Sequence, residues 1–257
     1  MKLHQIRNAT SVLEYNNIRF LIDPMFAPKE AYQPITLKSW PYHDLPLSPK
    51  DIVKNIDAVI LTHLHTDHFD KYAQEILPKS IKIFVQDKFD KNALEKEGFY
   101  DIEIITAAGI EFADIYKTIK LYKVECRHGI RAFAEPGMLA KGMRWEAMGI
   151  IFKSKNEPVL YIAGDTIWYD SIEQALNTHK PKYIVLNAAC TQTPESGPTN
   201  MGIEDIKELH KYYPDGKLIA SHMDNVGNET LCRADLRNSE VSDYIYIPAD
   251  GEIMMLE

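Results

Sequence analysis

Seven consecutive residues, Thr62 to His68, limit the fold of this chain more than any other segment. They read THLHTDH and contain three of the nine histidines of the 257-residue chain, together with an aspartate. The apolar segment IDAVILT at 56–62 leads into them and predicts a buried strand. Side chains at positions i and i+2 of an extended segment point to the same side, so we expect His63 and His65 to converge on one metal ion.

Two further candidate ligands follow where the chain is expected to turn. Asp67 and His68 leave in another direction and can serve a second ion beside the first. Imidazole and carboxylate groups suit zinc, iron or manganese. The alternative interpretation is a strand exit with surface histidines. It is disfavoured because clustered histidines need partners, and metal ions are the commonest strong ones.

The rest of the pattern predicts a layered α/β fold, with sheets in the middle and helices outside. Turn signals at Asn16-Asn17 and Asn156-Glu157 predict two hairpins. The predicted strands cover 10–15, 18–22, 56–62, 81–85, 102–105, 109–112, 115–124, 149–153, 159–163, 182–186, 217–221 and 245–248. The predicted helices cover 69–77, 88–97, 170–177, 202–213 and 229–237. Because no linker divides the chain, we expect a single domain over 1–257.

A proline-rich segment at 24–48 interrupts the alternation of strands and helices. It holds five prolines and the aromatic residues Tyr32, Trp40 and Tyr42, which predicts a long irregular loop. Loops of this length in compact domains are usually functional or disordered. We expect 24–48 and 129–146 to contribute pocket walls, whereas the sequence identifies no individual substrate-binding residue.

Charge and cysteine content disfavour several classes of protein. A formal net charge of −8 disfavours a large nucleic-acid interface, which depends on Lys and Arg against phosphates. Three separated cysteines without a CxxC pair predict a reducing compartment. No apolar signal segment is visible, and no apolar run approaches the roughly 20 residues that span a bilayer. We therefore expect a cytoplasmic protein that acts on a small molecule, without nucleic-acid or membrane partners, and leave its oligomeric state open.

The segment HLHTDH at 63–68 resembles the HxHxDH signature of the metallo-β-lactamase superfamily. The resemblance implies an αββα sandwich that holds metal ions at one edge. The family's remaining site residues follow in a fixed order, each after a strand, and this chain offers a candidate for each. The candidates are Asp23 in FLIDP, His128 in CRHG, Asp165 in YIAGDT and His222 in IASHMD.

A two-metal hydrolase is the function that the resemblance implies. The first ion would be held by His63, His65, His128 and Asp165. The second ion would be held by Asp67, His68, Asp165 and His222. A water shared by the two ions, zinc or manganese with iron as an alternative, would lose a proton near neutral pH and attack carbon or phosphorus. Asp67 would be the catalytic proton acceptor, and Asp23 would orient ligands without touching an ion.

One branch of the superfamily is the most similar to this chain. LIDP, THLHTDHFD, the GDT run and Ser221-His222 resemble L-ascorbate-6-phosphate lactonase and the N-acyl-phosphatidylethanolamine phospholipase D type enzymes. The branch implies cleavage of a small lactone, ester or phosphodiester. Many of its members carry a histidine after the first strand, where this chain has Asn8, and this departure weakens any inherited substrate assignment.

Two other functions remain open on the sequence. Some superfamily members hold a single iron for oxygen-dependent chemistry on sulfur compounds, although the complete ligand set here favours hydrolysis. A non-enzymatic metal-binding protein would keep the site without turning over any ester, lactone or phosphodiester. Metal content separates the first alternative from hydrolysis, and turnover separates the second.

Overall fold

Two large sheets pack face to face in the computed structural model, which describes residues 1–34, 38–113, 118–129, 144–194 and 196–257. In spatial order, the first sheet contains β16 (Ile253–Met255), β1 (Lys2–Arg7), β2 (Thr10–Tyr15), β3 (Ile18–Ile22), β4 (Ala58–Ile60), β5 (Lys82–Val85) and β6 (Ile102–Ile104). The second contains β15 (Ile245–Tyr246), β14 (Lys217–Ser221), β11 (Tyr183–Asn187), β10 (Leu160–Ile162), β9 (Met148–Lys153), β8 (Thr118–Glu125) and β7 (Ile110–Ala113). A separate two-stranded ribbon pairs β12 (Gln192–Thr193) with β13 (Gly197–Pro198).

Helices cover the outer faces of both sheets. They are α1 (Pro49–Ile52), α2 (Lys71–Ile76), α3 (Lys88–Lys96), α4 (Asp170–His179), α5 (Ile203–Tyr212) and α6 (Arg233–Arg237). Apolar residues of the first three helices pack with the first sheet, and those of the last three pack with the second. A further apolar cluster fills the space between the sheets. The predicted layered α/β sandwich is therefore confirmed. Within the described ranges, no helix combines the length and apolar composition that crossing a bilayer requires.

Both predicted hairpins are present. Asn16 and Asn17 adopt positive φ angles of 51° and 57°, as the two central residues of a type I′ turn require, and they join β2 to β3. β9 and β10 pair antiparallel across the second turn. In contrast, β3, β4, β5 and β6 run parallel, as do β10, β11, β14 and β15.

Several elements differ from the sequence-based expectation. The prediction missed α1 and the two strands β12 and β13. It also missed β1 and β16, which pair with each other and so depend on a contact between the two ends of the chain. The helix predicted at 229–237 begins only at Arg233. Cys232 has extended backbone angles (φ −96°, ψ 167°) and its side chain accepts from the Asp235 N–H, so it is the N-cap and the helix starts after it.

The described part of the proline-rich segment is an irregular loop, as predicted, and its aromatic residues are packed, as its composition indicates. Tyr32 and Trp40 form an isolated bridge, and their ring centroids lie 4.6 Å apart. Trp40 is buried against Met25 and against Val226, a residue from the C-terminal part of the chain. Residues 35–37 of this loop lie outside the described residues.

Candidate metal centre

The candidate site residues lie where strands of both sheets end at one edge of the sandwich. Asp23 follows β3, and the segment 63–68 follows β4, which runs parallel to it. Asp165 follows β10 and His222 follows β14, two strands of the parallel part of the second sheet. His128 comes shortly after β8. Because the carboxyl ends of parallel strands meet at one edge, the topology brings these distant residues together.

Two groups of side chains form the cluster. The first ligand group comprises His63, His65 and His128. The second ligand group comprises Asp67, His68 and His222. Within each group, one candidate ligand atom of every member lies within 4.8 Å of the others. A third set that meets the same distance links the two groups through Asp165 and consists of His63, His68 and Asp165.

Hydrogen bonds around the first ligand group leave two ring nitrogens facing each other. His65 Nε2 lies 2.7 Å from the carbonyl oxygen of Arg144, which only accepts, so Nε2 carries the proton and Nδ1 a lone pair. Thr62 Oγ1 donates to Asp23 and accepts from Nδ1 of His63 at 3.1 Å, which leaves a lone pair on Nε2. The two lone-pair nitrogens lie 3.0 Å apart. A cation between them removes the repulsion, and tetrahedral zinc would set two nitrogens about 3.3 Å apart.

The second ligand group repeats this arrangement and adds a carboxylate. His68 Nδ1 donates to Asp23 Oδ2 at 2.8 Å, so its Nε2 points into the cluster. That Nε2 lies 3.1 Å from Nε2 of His222. The same atom of His222 lies 3.1 Å from Oδ2 of Asp67. Two nitrogens and a carboxylate oxygen thus surround one point, a donor set that suits a divalent ion.

Asp165 contacts both groups. Its Oδ2 lies 3.4 Å from Nε2 of His128 and 3.5 Å from Nε2 of His68. Its Oδ1 lies 3.9 Å from Nε2 of His222 and accepts a hydrogen bond of 2.6 Å from Asn187. A carboxylate in this position can be shared by two ions.

Without a bound cation, burial determines the protonation of the first ligand group. Burial lowers the pKa of His63 and of His65, and it lowers the pKa of His128 to about 3. All three imidazoles are therefore neutral at physiological pH, which is the form that binds a metal ion.

Carboxylates reverse this effect in the second ligand group. Burial alone lowers the pKa of His68, but Asp165, Asp23 and Asp67 outweigh it and raise that pKa well above the usual value. The pKa of His222 is raised against the effect of burial by Asp165 and Asp67. Two imidazolium ions in a 3.1 Å N–N contact would repel strongly. The carboxylates therefore favour a positive charge that one metal ion supplies better than two protons.

Asp23 lies beside the cluster and orients its members. Oδ1 accepts from the Thr62 N–H at 2.7 Å, and Oδ2 accepts from the Thr62 hydroxyl at 2.7 Å and from His68 Nδ1 at 2.8 Å. The side chain is fully engaged with these groups, which is the orienting role that the resemblance implies. No sequence pattern indicated Thr62 as a partner of this aspartate.

Three other residues that contact the cluster were missed as site residues. Asn187 ends β11 at the same edge, so its place after a predicted strand was an available signal. Asn8 donates to the backbone carbonyl of Asp67 at 3.0 Å, and its own carbonyl accepts from the His222 N–H at 3.0 Å. Glu229 Oε1 lies 3.9 Å from Nδ1 of His222, and burial raises the pKa of Glu229 to about 8. No sequence pattern pointed to Glu229.

A cavity of about 250 Å³ adjoins the first ligand group and is lined by His63, His65, Phe89 and Arg144, among others. The expectation that 129–146 forms a pocket wall is met here by its last residues, while 130–143 lie outside the described residues. The described residues of the loop at 24–48 do not line this cavity.

Comparison with known proteins identifies a matching family and a close relative. The sequence profile of the Beta-lactamase superfamily domain matches residues 18–223. The UPF0173 protein YddR of Bacillus subtilis (strain 168) is 41% identical over 261 residues, which cover 98% of each chain.

Solved structures show the same fold over nearly their full length. An isothiocyanate hydrolase from Delia radicum gut bacteria is 37% identical, with a TM-score of 0.91 over 100% of this chain and 99% of that chain. A possible metal-dependent hydrolase from Veillonella parvula DSM 2008 is 35% identical, with the same TM-score and coverage. Igni18, a metallo hydrolase from Ignicoccus hospitalis KIN4/I, covers 100% and 98% of the two chains at 17% identity and a TM-score of 0.70, so it shows the fold alone.

Proposed function

Because the chain belongs to the family of the Beta-lactamase superfamily domain, whose profile covers residues 18–223, we propose that it is a hydrolase that uses two divalent metal ions against a small electrophilic substrate. Relatives that are 37% and 35% identical over the full chain and are named as hydrolases support the reaction type. The number of ions, the ligand assignment and the substrate are parts of the proposal.

The pairs of facing ring nitrogens carry this proposal. They are separated by 3.0 Å in the first ligand group and by 3.1 Å in the second. We assign one ion to the first ligand group and one to the second, with Asp165 bound to both. This set of nitrogen and carboxylate donors suits zinc or manganese, and iron is the alternative.

Asp67 is the residue that we assign to proton transfer. When bound, divalent ions lower the pKa of a water and polarise the electrophile. The Asp67 side chain is 18% exposed, compared with 4% for Asp165 and 2% for Asp23, so it alone of the three reaches the solvent side of the cluster. Burial alone raises the pKa of Asp67, but His68 and His222 outweigh it and hold that pKa below its usual value. The ionised carboxylate can therefore accept a proton from a reacting water and pass it to a leaving group.

Isothiocyanates are the first candidate substrates. The support is 37% identity, over the full length, to a protein named isothiocyanate hydrolase. Their central carbon is electrophilic. Addition of the water oxygen to that carbon, transfer of both water protons to nitrogen and cleavage of the carbon–nitrogen bond release an amine and carbonyl sulfide. Small lactones, esters and phosphodiesters, which the sequence resemblance implies, form the second set of candidates.

Metal content tests the two-metal site. We expect elemental mass spectrometry of protein purified without added metal to find about two zinc or manganese ions per chain. His65→Ala should lose at least one of them, whereas His43→Ala, which removes an exposed histidine outside the cluster, should retain both. About one iron per chain would favour the oxygen-dependent alternative. Absence of tightly bound metal would contradict the proposal.

Turnover by the metal-loaded protein tests the substrate class. Amine release from an isothiocyanate is compared with hydrolysis of lactones, esters and phosphodiesters. We expect His65→Ala to abolish turnover of the preferred class and His43→Ala to retain it. If the fully loaded protein hydrolyses none of these compounds, a non-enzymatic metal-binding role is favoured instead.

A further inference from the structure

Arg144 connects the first ligand group to the beginning of helix α3. Its backbone carbonyl accepts the hydrogen bond from Nε2 of His65 at 2.7 Å. Its guanidinium donates to the two carboxylate oxygens of Asp87 at 3.2 and 2.9 Å. It also donates to Oδ1 of Asp90 at 3.2 Å. Backbone and side chain of one residue thus engage a candidate metal ligand and a neighbouring helix at the same time.

We propose that Arg144 is a positioning residue for the first metal ion, and that Asp87 and Asp90 of the α3 terminus hold it in place. In this arrangement, the Arg144 carbonyl keeps the proton of His65 on Nε2 and leaves Nδ1 facing His63. The inference rests on the proposed two-metal function. It adds a determinant of metal binding that lies outside the ligands themselves.

The side chain of Arg144 is held from several directions. Besides the two aspartates, Glu146 accepts from its Nε at 3.1 Å. The guanidinium also lies over the ring of Phe89, 4.3 Å from the ring centroid. A planar guanidinium with paired carboxylate contacts and a stacked ring has little rotational freedom. The guanidinium therefore fixes the position of its own backbone.

Additional hydrogen bonds link the residues that follow Arg144 to the region of α3 and to the end of β4. Gln86 Nε2 donates to the Glu146 carbonyl at 2.9 Å and to Oδ2 of Asp90 at 2.9 Å. The N–H of Met148 donates to the carbonyl of Thr62 at 3.0 Å, directly before the first candidate ligand. The chain from 144 to 148 is thus anchored to α3 at one end and to the exit of β4 at the other.

The second ligand group has a different orienting contact. His68 is oriented by the Asp23 carboxylate at 2.8 Å and, among the described residues, forms no hydrogen bond or ion pair with Arg144, Asp87 or Asp90. A change at the α3 terminus should therefore weaken binding of the first ion and leave binding of the second unchanged. This selectivity distinguishes positioning from a general loss of stability.

Asp87→Asn tests the proposal with little change in shape. Asparagine can still accept the N–H groups of Phe89 and Asp90 that cap α3, but it lacks the charge that holds the guanidinium. The matched control is Asp101→Asn. The Asp101 carboxylate lies away from the cluster, where it binds Lys82 at a distance of 2.6 Å. Zinc dissociation constants are measured by competition with a chromophoric chelator on the full chain. We expect about tenfold weaker binding of the first ion in Asp87→Asn and wild-type binding in the control.

Unchanged zinc constants in Asp87→Asn would overturn the inference while the wild-type protein still supports the proposed function. Equal weakening of both ions would also overturn it, because the effect would then be global. A wild-type protein that binds no zinc would instead overturn the proposed function.

A second variant keeps the test decisive if Asp87→Asn does not fold. Arg144→Lys retains the positive charge but not the planar paired contact. Long-range ¹⁵N NMR of the metal-free protein reports the tautomer of His65, whose signals are assigned by their loss in His65→Gln. We expect the Nε2–H tautomer in the wild type and a mixture of tautomers in Arg144→Lys. A pure Nε2–H tautomer in that variant would show that the arginine is not needed for positioning.

Discussion

The two ligand groups differ in the chemical nature of the atoms that orient their histidines. In the first group, neutral acceptors do this: the Arg144 carbonyl binds His65, and the Thr62 hydroxyl binds His63. In the second group, the Asp23 carboxylate binds His68. The first group is therefore neutral and depends on accurate backbone positions, whereas the second carries negative charge beside its histidines.

This difference determines which changes each proposed ion should tolerate. Neutral nitrogen donors bind a cation only when their lone pairs converge, so the first ion should be sensitive to geometry. Carboxylates attract a cation even when the geometry is imperfect, so the second ion should be sensitive to removal of charge. Substitutions that alter charge with little change in shape can separate these two dependences.

Asp165→Asn should have the largest effect, because Asp165 is the residue that contacts both groups. Its loss removes the shared negative charge between two cations. We expect a loss of turnover of about 10³-fold or more, corresponding to several kcal/mol of transition-state stabilisation. Metal content should fall for both ions. Retention of both ions with normal turnover would show that the groups act independently.

Asp67→Asn should weaken binding of the second ion, because it removes a charge from that ligand group, and it should also lower the rate once that ion is restored. Asparagine keeps an oxygen beside His222 but cannot accept a proton. We expect kcat at saturating metal to fall about 10²- to 10⁴-fold, the usual range for removal of a general base, with KM little changed. Steady-state kinetics on the preferred substrate measure this. A normal kcat would assign proton transfer to another group.

Asp23→Asn should weaken the second ion selectively, as the counterpart of Asp87→Asn for the first. The substitution removes the charge that orients His68, and loss of such a contact costs about 10- to 100-fold in metal affinity. Asp57→Asn is the control, since the Asp57 carboxylate lies outside the cluster and accepts an exposed hydrogen bond of 2.8 Å from the Arg19 N–H. Stepwise zinc competition measures both constants. Weakening of the first ion alone would reverse the proposed division between the groups.

The candidate ligands could be predicted because each follows an apolar strand within a short motif, so local pattern carried the information. Their orienting contacts could not be predicted in the same way. Arg144 is 79 positions from His65, and its carbonyl carries no side-chain signature. Asp23 was predicted to orient ligands only through the family resemblance, and the sequence did not indicate Thr62 as its partner. The strands β1 and β16 were missed for the same reason. They are defined by their pairing with each other, and neither carries a local sequence pattern that predicts a strand.

Two aspartates that bind the same guanidinium should respond oppositely to pH, an effect on stability and not on metal binding or rate. Burial raises the pKa of Asp90 to about 6, whereas Arg144 and the α3 N–H groups outweigh burial and lower the pKa of Asp87. The Asp90 side chain is 3% exposed and that of Asp87 is 32% exposed.

Asp90 should therefore lower stability as pH rises. Its carboxyl keeps a proton in the folded chain up to about pH 6 but loses it near pH 4 in the unfolded chain. The unfolded state thus binds fewer protons between these values, and the free energy of unfolding decreases as pH rises through that window. In the wild type, ionisation of Asp90 should lower the free energy of unfolding by about 2–3 kcal/mol between pH 4 and pH 7, and Asp90→Asn should abolish this decrease. Urea unfolding of the metal-free wild type and variant at both pH values measures the difference.

Asp87→Asn should show the opposite sign, because the lowered pKa of Asp87 stabilises the fold above its unfolded-state pKa and that gain disappears as pH falls. The same sign in both variants would mean that burial does not shift the pKa of Asp90 in the opposite direction to that of Asp87. The guanidinium would then stabilise the ionised form of both carboxylates equally.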